Sequence, residues 1–540
     1  MCLPVLFSAV LPGCGGDGGD AAPPARVADR STGPVTGDTI VRGSIGDAST
    51  LLPIVASDSA SFDIADLVYD GLVRYDEELN IEGALAESWD ISPDGLEITF
   101  HLRPDVRWHD GAPFTAEDVR FTYELLVDPA TPTAYAGDFR EVRKFEVLDS
   151  RSVRVTYEKP FAPALISWGM YMLPKHLLQG GDLTASPLAR HPVGTGPYRF
   201  REWAAGERIV LEANDDYWEG RPNADRYVYR VIPDTATMFL ELRAGGVDWM
   251  NLDPVQYSRQ TETDYFRENF NRHRYLDFRY TYLGFNLENP LFSDRRVRQA
   301  IAHAVDKQEL VDIVLLGLGQ PVTGHYRPDT WAHNPDVRRY PYEPEKARGL
   351  LAEAGWTDSD GDGWLDRKGK PFTFTILTNQ GNKRRQRSAE IIQGRLREVG
   401  IDVSIRIIEW AAFLKDFVKP RNFDAIILGW MTTPDPDAYD VWHSSKTGPD
   451  ELNHVSFRSA EADELLEKGR STFDREERRR AYFRFQEILA EEQPYVFLYA
   501  PESLPVIHSR FRDVMVGAQG VTTSNLINWW VPKGEQKYLP

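Results

Sequence analysis

PFTFTILTNQGNKRRQRSAEIIQGRLREVGIDVSIRIIEWAAFLKDFVKPRNFDAIILGW, residues 371–430, is the stretch that decides the fold. Phe372, Phe374 and Ile376 alternate as on a strand, and Ile391, Ile392, Leu396 and Val399 then recur at helical spacing. Gly400 closes that helix. Ile401, Val403, Ile405 and Ile407 predict a second strand, Trp410 to about Lys419 a short helix, and Phe423-Asp424-Ala425-Ile426-Ile427-Leu428 a buried strand. The order is βαβαβ, which predicts parallel strands with helices packed on their faces. In such an open sheet ligands bind beyond the carboxyl ends of the strands. Trp410 and Trp430 fall just after two of those ends, and although aromatics more often serve packing, this position reads as a ligand wall.

Outward from that unit the same mixture continues. Leu96, Ile98, Phe100 and Leu102, and Val153, Val155 and Tyr157, have the period of half-buried strands. Thr115-Ala116-Glu117-Asp118 is a capping box opening a helix. Asp294 precedes a helical stretch with Val297, Ile301 and Val305 on one face, expected to run to Gly317, and Asp474 with Glu477 opens another that ends before Pro494. We find no short-period repeat and no apolar run long enough to span a bilayer.

The chain has 540 residues, 42% hydrophobic and 27% charged, so a large core forms without disulfide or metal staples. A net charge of −20 argues against nucleic acid, because neutralising phosphates requires a basic surface. The only cysteines are Cys2 and Cys14, so the body carries no thiol chemistry and no internal disulfide. Leu3 to Leu11 is a short, mostly apolar run followed by Pro12-Gly13-Cys14 and a Gly/Asp-rich stretch. That order resembles a lipoprotein signal peptide, residues 1–13, cut before a lipidated Cys14, with 14–38 as a flexible tether. Pro12 stands where such signals carry a small or branched residue and the basic n-region is missing, so the true start is expected upstream.

Catalytic signatures are missing: there is no G-x-S-x-G, H-E-x-x-H, Walker A or dinucleotide fingerprint, and the chain reads as a non-enzyme that needs no cofactor. His109-Asp110 precedes Gly111 and reads as a turn rather than an acid/base pair. Asp358, Asp360 and Asp362 have the spacing of the first ligands of a calcium loop, with Gly363 at the bend. The twelfth position is Gly369 instead of the bidentate Glu, so an acidic surface turn is the favoured reading.

A long ordered set of motifs then resembles one family. Gly83-Ala84-Leu85-Ala86-Glu87-Ser88-Trp89, Asp94-Gly95-Leu96, Phe100-His101-Leu102-Arg103, Val106-Arg107-Trp108-His109-Asp110-Gly111 and Phe114-Thr115-Ala116-Glu117-Asp118-Val119 resemble the extracellular solute-binding proteins of the peptide/nickel type. Gly194-Thr195-Gly196-Pro197-Tyr198, Asn214-Asp215-Asp216-Tyr217-Trp218, Gly284-Phe285-Asn286-Leu287, Val297-Arg298-Gln299-Ala300-Ile301 and Gly429-Trp430 extend the match over nearly all of the chain after the tether. The resemblance implies a two-lobed α/β clamp with an extra subdomain in the N-terminal lobe. Lobe I is expected at 39–73, 193–281 and 495–540, the subdomain at 74–192 and lobe II at 282–494. It implies a lipid-anchored, monomeric subunit in the periplasm or on the outer face of the cell membrane, which passes a peptide or peptide-like solute to an ABC permease with its ATPase subunits.

Asp58, Ser59, Trp410 and Trp430 are similar in position to residues that line the family's cleft. Where the resemblance implies an aspartate for the ligand's α-ammonium, three residues after the Gly-Trp tryptophan, this chain has Thr433, and Asp435 is the nearest substitute. Either Asp435 has taken over that pairing or the ligand has no free amine. Two other functions share parts of this pattern: a secreted α/β hydrolase, disfavoured for want of a nucleophile or metal constellation, and a ligand-sensing lipoprotein without transport.

Overall fold

The computed structural model describes residues 33–538. The expected signal peptide, Cys14 and most of the tether lie outside the described residues. The tether ends earlier than expected: Gly37 donates to the carbonyl of Asn223, and Asp38 is buried in an ion pair with Arg510 while accepting the amides of Lys537 and Tyr538. These bonds pin residues 37–38 to the folded body, where a free linker would leave them in water.

Residues 371–430 form the expected unit. Strand Thr373–Asn379 pairs in parallel with Asp402–Ile408 on one side and Ala425–Met431 on the other, and helix Lys383–Glu398 crosses between them. Helix Trp410–Ala412 runs into a wider turn of π type, Phe413–Val418, before the chain re-enters the sheet. Along Ala425–Met431 the side chains alternate between two cores: Ile427 packs with Ile376 and Leu396, while Ile426 and Leu428 pack on the opposite face with Phe413 and Trp442. Burial on both faces explains why this strand reads as a continuous apolar run.

The rest of that sheet is antiparallel and comes from distant sequence. Arg279–Phe285 pairs with Ala425–Met431 and with Tyr495–Ser503, and Gly319–Pro321 adds to the outer side of Tyr495–Ser503. The expected helix from Asp294 to Gly317 is two helices, Arg295–Ala304 and Lys307–Val314. The cause is local: the carboxylate of Asp306 accepts the amide of Glu309 at 3.0 Å, capping a new helix just past Val305.

A second seven-stranded sheet is built around Thr39–Ser44, which is parallel to Arg226–Val231 and Trp249–Asn251. A four-stranded antiparallel sheet, Ala86–Ile91, Glu97–Leu102, Ser152–Tyr157 and Val142–Asp149, shares one continuous core with it through Phe100, Trp168 and Tyr198. The Thr115 capping box opens helix Ala116–Val127 over this sheet as the sequence implied. The chain passes between the two large sheets twice, at residues 273–278 and again after Ser503, where Tyr275–Leu276 and Glu502–Ser503 pair side by side. The strand Tyr495–Ser503 hydrogen-bonds within the second lobe's sheet, so that sheet extends past residue 494.

Candidate functional site

Five strands deliver their carboxyl ends to one place. Just beyond Thr39–Ser44 and Trp249–Asn251 on the first lobe, and Thr373–Asn379, Asp402–Ile408 and Ala425–Met431 on the second, the chain lines a cavity of about 730 Å³ between the lobes. This is the position that open α/β sheets reserve for ligands. Asp58, Ser59, Trp410, Trp430, Thr433 and Asp435 all line it, so the six residues singled out in the sequence converge in space.

Their individual tasks differ from the expectation. Asp58 is buried and caps helix Ser59–Val68, accepting the Ser61 amide at 3.0 Å, the Ser61 hydroxyl at 2.7 Å and the Ser49 hydroxyl at 2.5 Å. Both of its oxygens are committed to the protein, which makes it a builder of the wall; Ser59, beside it, is exposed to the cavity. Trp430 stacks on His454 with centroids 5.3 Å apart and donates its indole N–H to Tyr495 at 3.2 Å, so one face is fixed and the ring is held rigid. Trp410 packs from the second lobe against the backbone of Gly46 in the first, where an added Cβ would meet its ring at 3.3 Å.

Thr433 turns its hydroxyl to the carbonyl of Asp435 at 2.8 Å. Asp435 is held by Arg478 in a forked ion pair, with Nη2 at 2.7 Å from Oδ1 and Nη1 at 3.0 Å from Oδ2. Its charge is therefore already balanced by the protein before any ligand ammonium arrives.

The sequence reading missed the cations. Arg279 is paired with Asp277, Arg42 with Asp63 and Lys383 with Asp234, but Arg384 and Arg385, also lining the cavity, have no carboxylate partner among the described residues. Arg385 donates to the side-chain oxygen of Asn379 at 2.9 Å; no hydrogen bond holds the Arg384 guanidinium among the described residues. Burial pushes both below the usual guanidinium range, Arg385 to about 10, and Arg279 adds repulsion. They stand on the first turn of helix Lys383–Glu398, the end where the helix dipole disfavours cations. Lys383-Arg384-Arg385 at a helix start was a readable signal of a charge awaiting an anion.

The lobes touch on both flanks of the cavity. On one side Lys383 reaches Asp234 at 3.6 Å and Gly381, at φ +84°, lies so near the carbonyl of Pro233 that a Cβ would meet it at 2.3 Å. On the other, Arg470 pairs with Asp138, Lys446 donates to the carbonyl of Ala134 at 3.3 Å, and Phe473 covers the Gly95 turn.

Two other motifs lie elsewhere. His109 does sit beside a turn: Gly111 donates to Trp108, while the imidazole bridges the loop 194–196 by donating to the Gly196 carbonyl at 3.0 Å and accepting the Gly194 amide at 3.2 Å. Asp358, Asp360 and Asp362 bring carboxylate oxygens within 4.8 Å of one another on an exposed loop, where they accept the amides of Gly361, Gly363, Asp362 and Trp364.

Comparison with known proteins gives a consistent picture. Residues 80–451 match the family described as "Bacterial extracellular solute-binding proteins, family 5 Middle". The chain is similar to the oligopeptide-binding protein AppA of Bacillus subtilis, 36% identical over 528 residues that cover 94% of each chain. The structure of AppA in complex with a nonapeptide superposes with a TM-score of 0.88, 34% identity and coverage of 93% of this chain and 100% of that one. NikZ from Campylobacter jejuni in complex with Ni(L-His) superposes with a TM-score of 0.83, 30% identity and coverage of 91% and 99%.

Proposed function

Because the chain belongs to the bacterial extracellular solute-binding proteins of family 5, we propose that it captures a peptide or peptide-like solute between its two lobes and delivers it to an ABC permease. The observation that carries this reading is the cavity itself: the carboxyl ends of five strands from two lobes enclose about 730 Å³, a size suited to a solute of several residues. Binding there bridges the lobes, so ligand stabilises the closed arrangement by the contacts that the open one lacks.

The similar proteins are named for binding, and the relative AppA was solved with a nonapeptide, which supports a peptide as the solute here. A nickel chelate, such as the Ni(L-His) held by NikZ, is the alternative within the same cavity. In the peptide reading Arg384 and Arg385 seat a carboxylate of the ligand, since two partly desolvated cations without a counter-ion favour an anion. Trp410 and Trp430 flank the main chain with apolar surface, and Ser59 offers its hydroxyl to it. The amino end has no unpaired partner in Asp435.

We place lobe I at 39–73, 193–278 and 504–540, the subdomain at 74–192 and lobe II at 279–503, which moves the expected boundaries at 281 and 494 to the two crossings, because Arg279–Phe285 and Tyr495–Ser503 pair within the second lobe's sheet. In this reading Cys14 carries the lipid that holds the protein at the outer face of a membrane, and the subunit works as a monomer without catalysis. The decisive experiment is mass spectrometry of the small molecules released by denaturing the purified protein. Peptides of several residues support the proposal; a metal chelate or a sugar replaces it.

A further inference from the structure

Four carboxylates and two cations meet where the subdomain touches the second lobe. Arg470, almost fully buried at the end of helix Ala460–Arg470, donates through Nη2 to Asp437 at 2.5 Å and, across the lobe boundary, to Asp138 on the short helix Ala136–Arg140. Its guanidinium also lies 5.0 Å over the ring of Phe161 in the subdomain and 4.1 Å over Tyr439. Beside it the equally buried Lys446 pairs with Asp440 at 2.8 Å and Glu451 at 3.2 Å, and reaches back across the boundary to the carbonyl of Ala134. The surrounding charged and titratable groups are the Asp435–Arg478 pair, Tyr326 and Tyr482 next to Asp437, the Tyr157 hydroxyl beside Asp138, Tyr135 beside Asp440, Tyr439 against Arg470 and Lys446, and Arg140 behind Glu451.

Arg470, Lys446, Asp437, Asp440 and Glu451 all belong to the second lobe; Asp138 alone comes from the other side. When the lobes part, Asp138 returns to water and Asp437 keeps Arg470 to itself. When they meet, a second carboxylate is pressed onto a guanidinium that is already balanced, with Asp440 close by. Two carboxylates sharing a desolvated site do not both stay ionised without penalty. We propose that closing the lobes takes up a proton, held between Asp138 and Asp437, so that solute capture is favoured by mild acidity.

This rests on the clamp reading above, in which the lobes open and close. Burial, and then the repulsion of Asp437 and Asp440 against the opposing pull of Arg470, raises Asp138 to about 7, and burial likewise raises Asp437. The sign follows. A carboxylate raised in the closed state binds its proton more tightly there than in the open state. Above about pH 7 both states are ionised and closure carries the whole penalty. Between that value and the ordinary carboxylate range near 4, acidification favours closure by up to roughly tenfold per pH unit for one proton.

The test is single-molecule energy transfer between dyes on Glu87→Cys in the subdomain and Glu345→Cys in the second lobe, with Cys2 and Cys14 replaced by serine. The closed-to-open ratio is measured from pH 8 to pH 5, without ligand and with a pool of randomised nonapeptides. The expected result is a ratio rising toward tenfold per pH unit below 7, with that slope abolished in Asp138→Asn and, independently, in Asp437→Asn. A ratio that does not change with pH, or a slope that survives in both variants, overturns the proposal. If the pool shifts nothing, the peptide reading falls but the ligand-free slope still decides the proton linkage. A single invariant distance under every condition removes the clamp and the linkage together.

Discussion

Asp435 and Arg478 form a two-pronged ion pair on the wall of the ligand cavity, and a further bond from the Asp437 amide to Asp435 Oδ1 at 3.0 Å fixes the turn between Pro434 and Pro436. Each lone pair that a ligand ammonium would seek is occupied. Asp435 therefore holds the cavity wall in shape, and its loss is felt first by the protein.

Asp435→Asn leaves the Arg478 guanidinium, which is largely buried, without its counter-charge. Breaking one side of such a pair costs about 2–4 kcal/mol. Chemical denaturation should register that loss. Titration of a free-amine peptide and its N-acetylated twin against both proteins should give a coupling near zero; a coupling of about 2 kcal/mol or more would restore Asp435 as the ammonium partner.

Arg384→Gln removes a cation that has no partner among the described residues, so stability should hold or rise slightly, as burial already disfavours its charge. Affinity for a carboxylate-terminated peptide should drop by roughly 10- to 100-fold, in line with about 1.5–3 kcal/mol for a hydrogen bond to a charged group. The corresponding carboxamide should bind both proteins equally. Calorimetry on the two peptides checks this, and an equal drop for both means that Arg384 does not seat the carboxylate.

Gly46→Leu places a side chain where Trp410 of the opposite lobe now packs. The clash exists only between lobes, so the unfolding midpoint should move by no more than a degree or two while solute affinity falls at least tenfold. Solution scattering of the saturated variant should show a larger radius of gyration than the parent protein. An unchanged radius would mean that the lobes do not meet at this contact.

Acid should destabilise the fold through histidines held neutral by their surroundings, His325 and His454 buried and His109 half-buried. Burial lowers His109 to about 4, and His325 and His454 to about 3. Each folded pKa lies below the unfolded value near 6.5, so stability is intact above that pH and falls as pH drops through 6.5 toward the folded value. For His109 the gap between 6.5 and about 4 amounts to about 3 kcal/mol at pH 4. His109→Gln should flatten the slope of unfolding free energy against pH by close to one proton in this window; no change in slope assigns the acid sensitivity elsewhere.

Much of the site was legible without coordinates, because strand period and order place the carboxyl ends of parallel strands on one edge. Trp410 and Trp430 follow directly from that geometry and line the cavity as expected. The roles of Asp58 and Asp435 were not legible. Asp58 is spent on its own neighbourhood, as the cap of helix Ser59–Val68 and on Ser49 nine residues back, whereas Asp435 is claimed by Arg478, 43 positions on, a meeting that no local pattern encodes. The break between helices at Asp306 was written locally, in a capping residue that the face pattern across Val297, Ile301 and Val305 outweighed.

Sequence alone determined the α/β class, the βαβαβ unit and the family, since these depend on periodicity, caps and motifs that neighbouring residues carry. Tertiary structure alone decided how charge is distributed around the cavity. Arg384 has no carboxylate partner among the described residues, where Asp277 and Asp63 are taken by Arg279 and Arg42, and Asp138 shares Arg470 with Asp437 because two lobes bring together residues more than 300 positions apart. Coulomb interactions act through space and strengthen as water is excluded, so only the closed arrangement of the whole chain sets which charges are balanced.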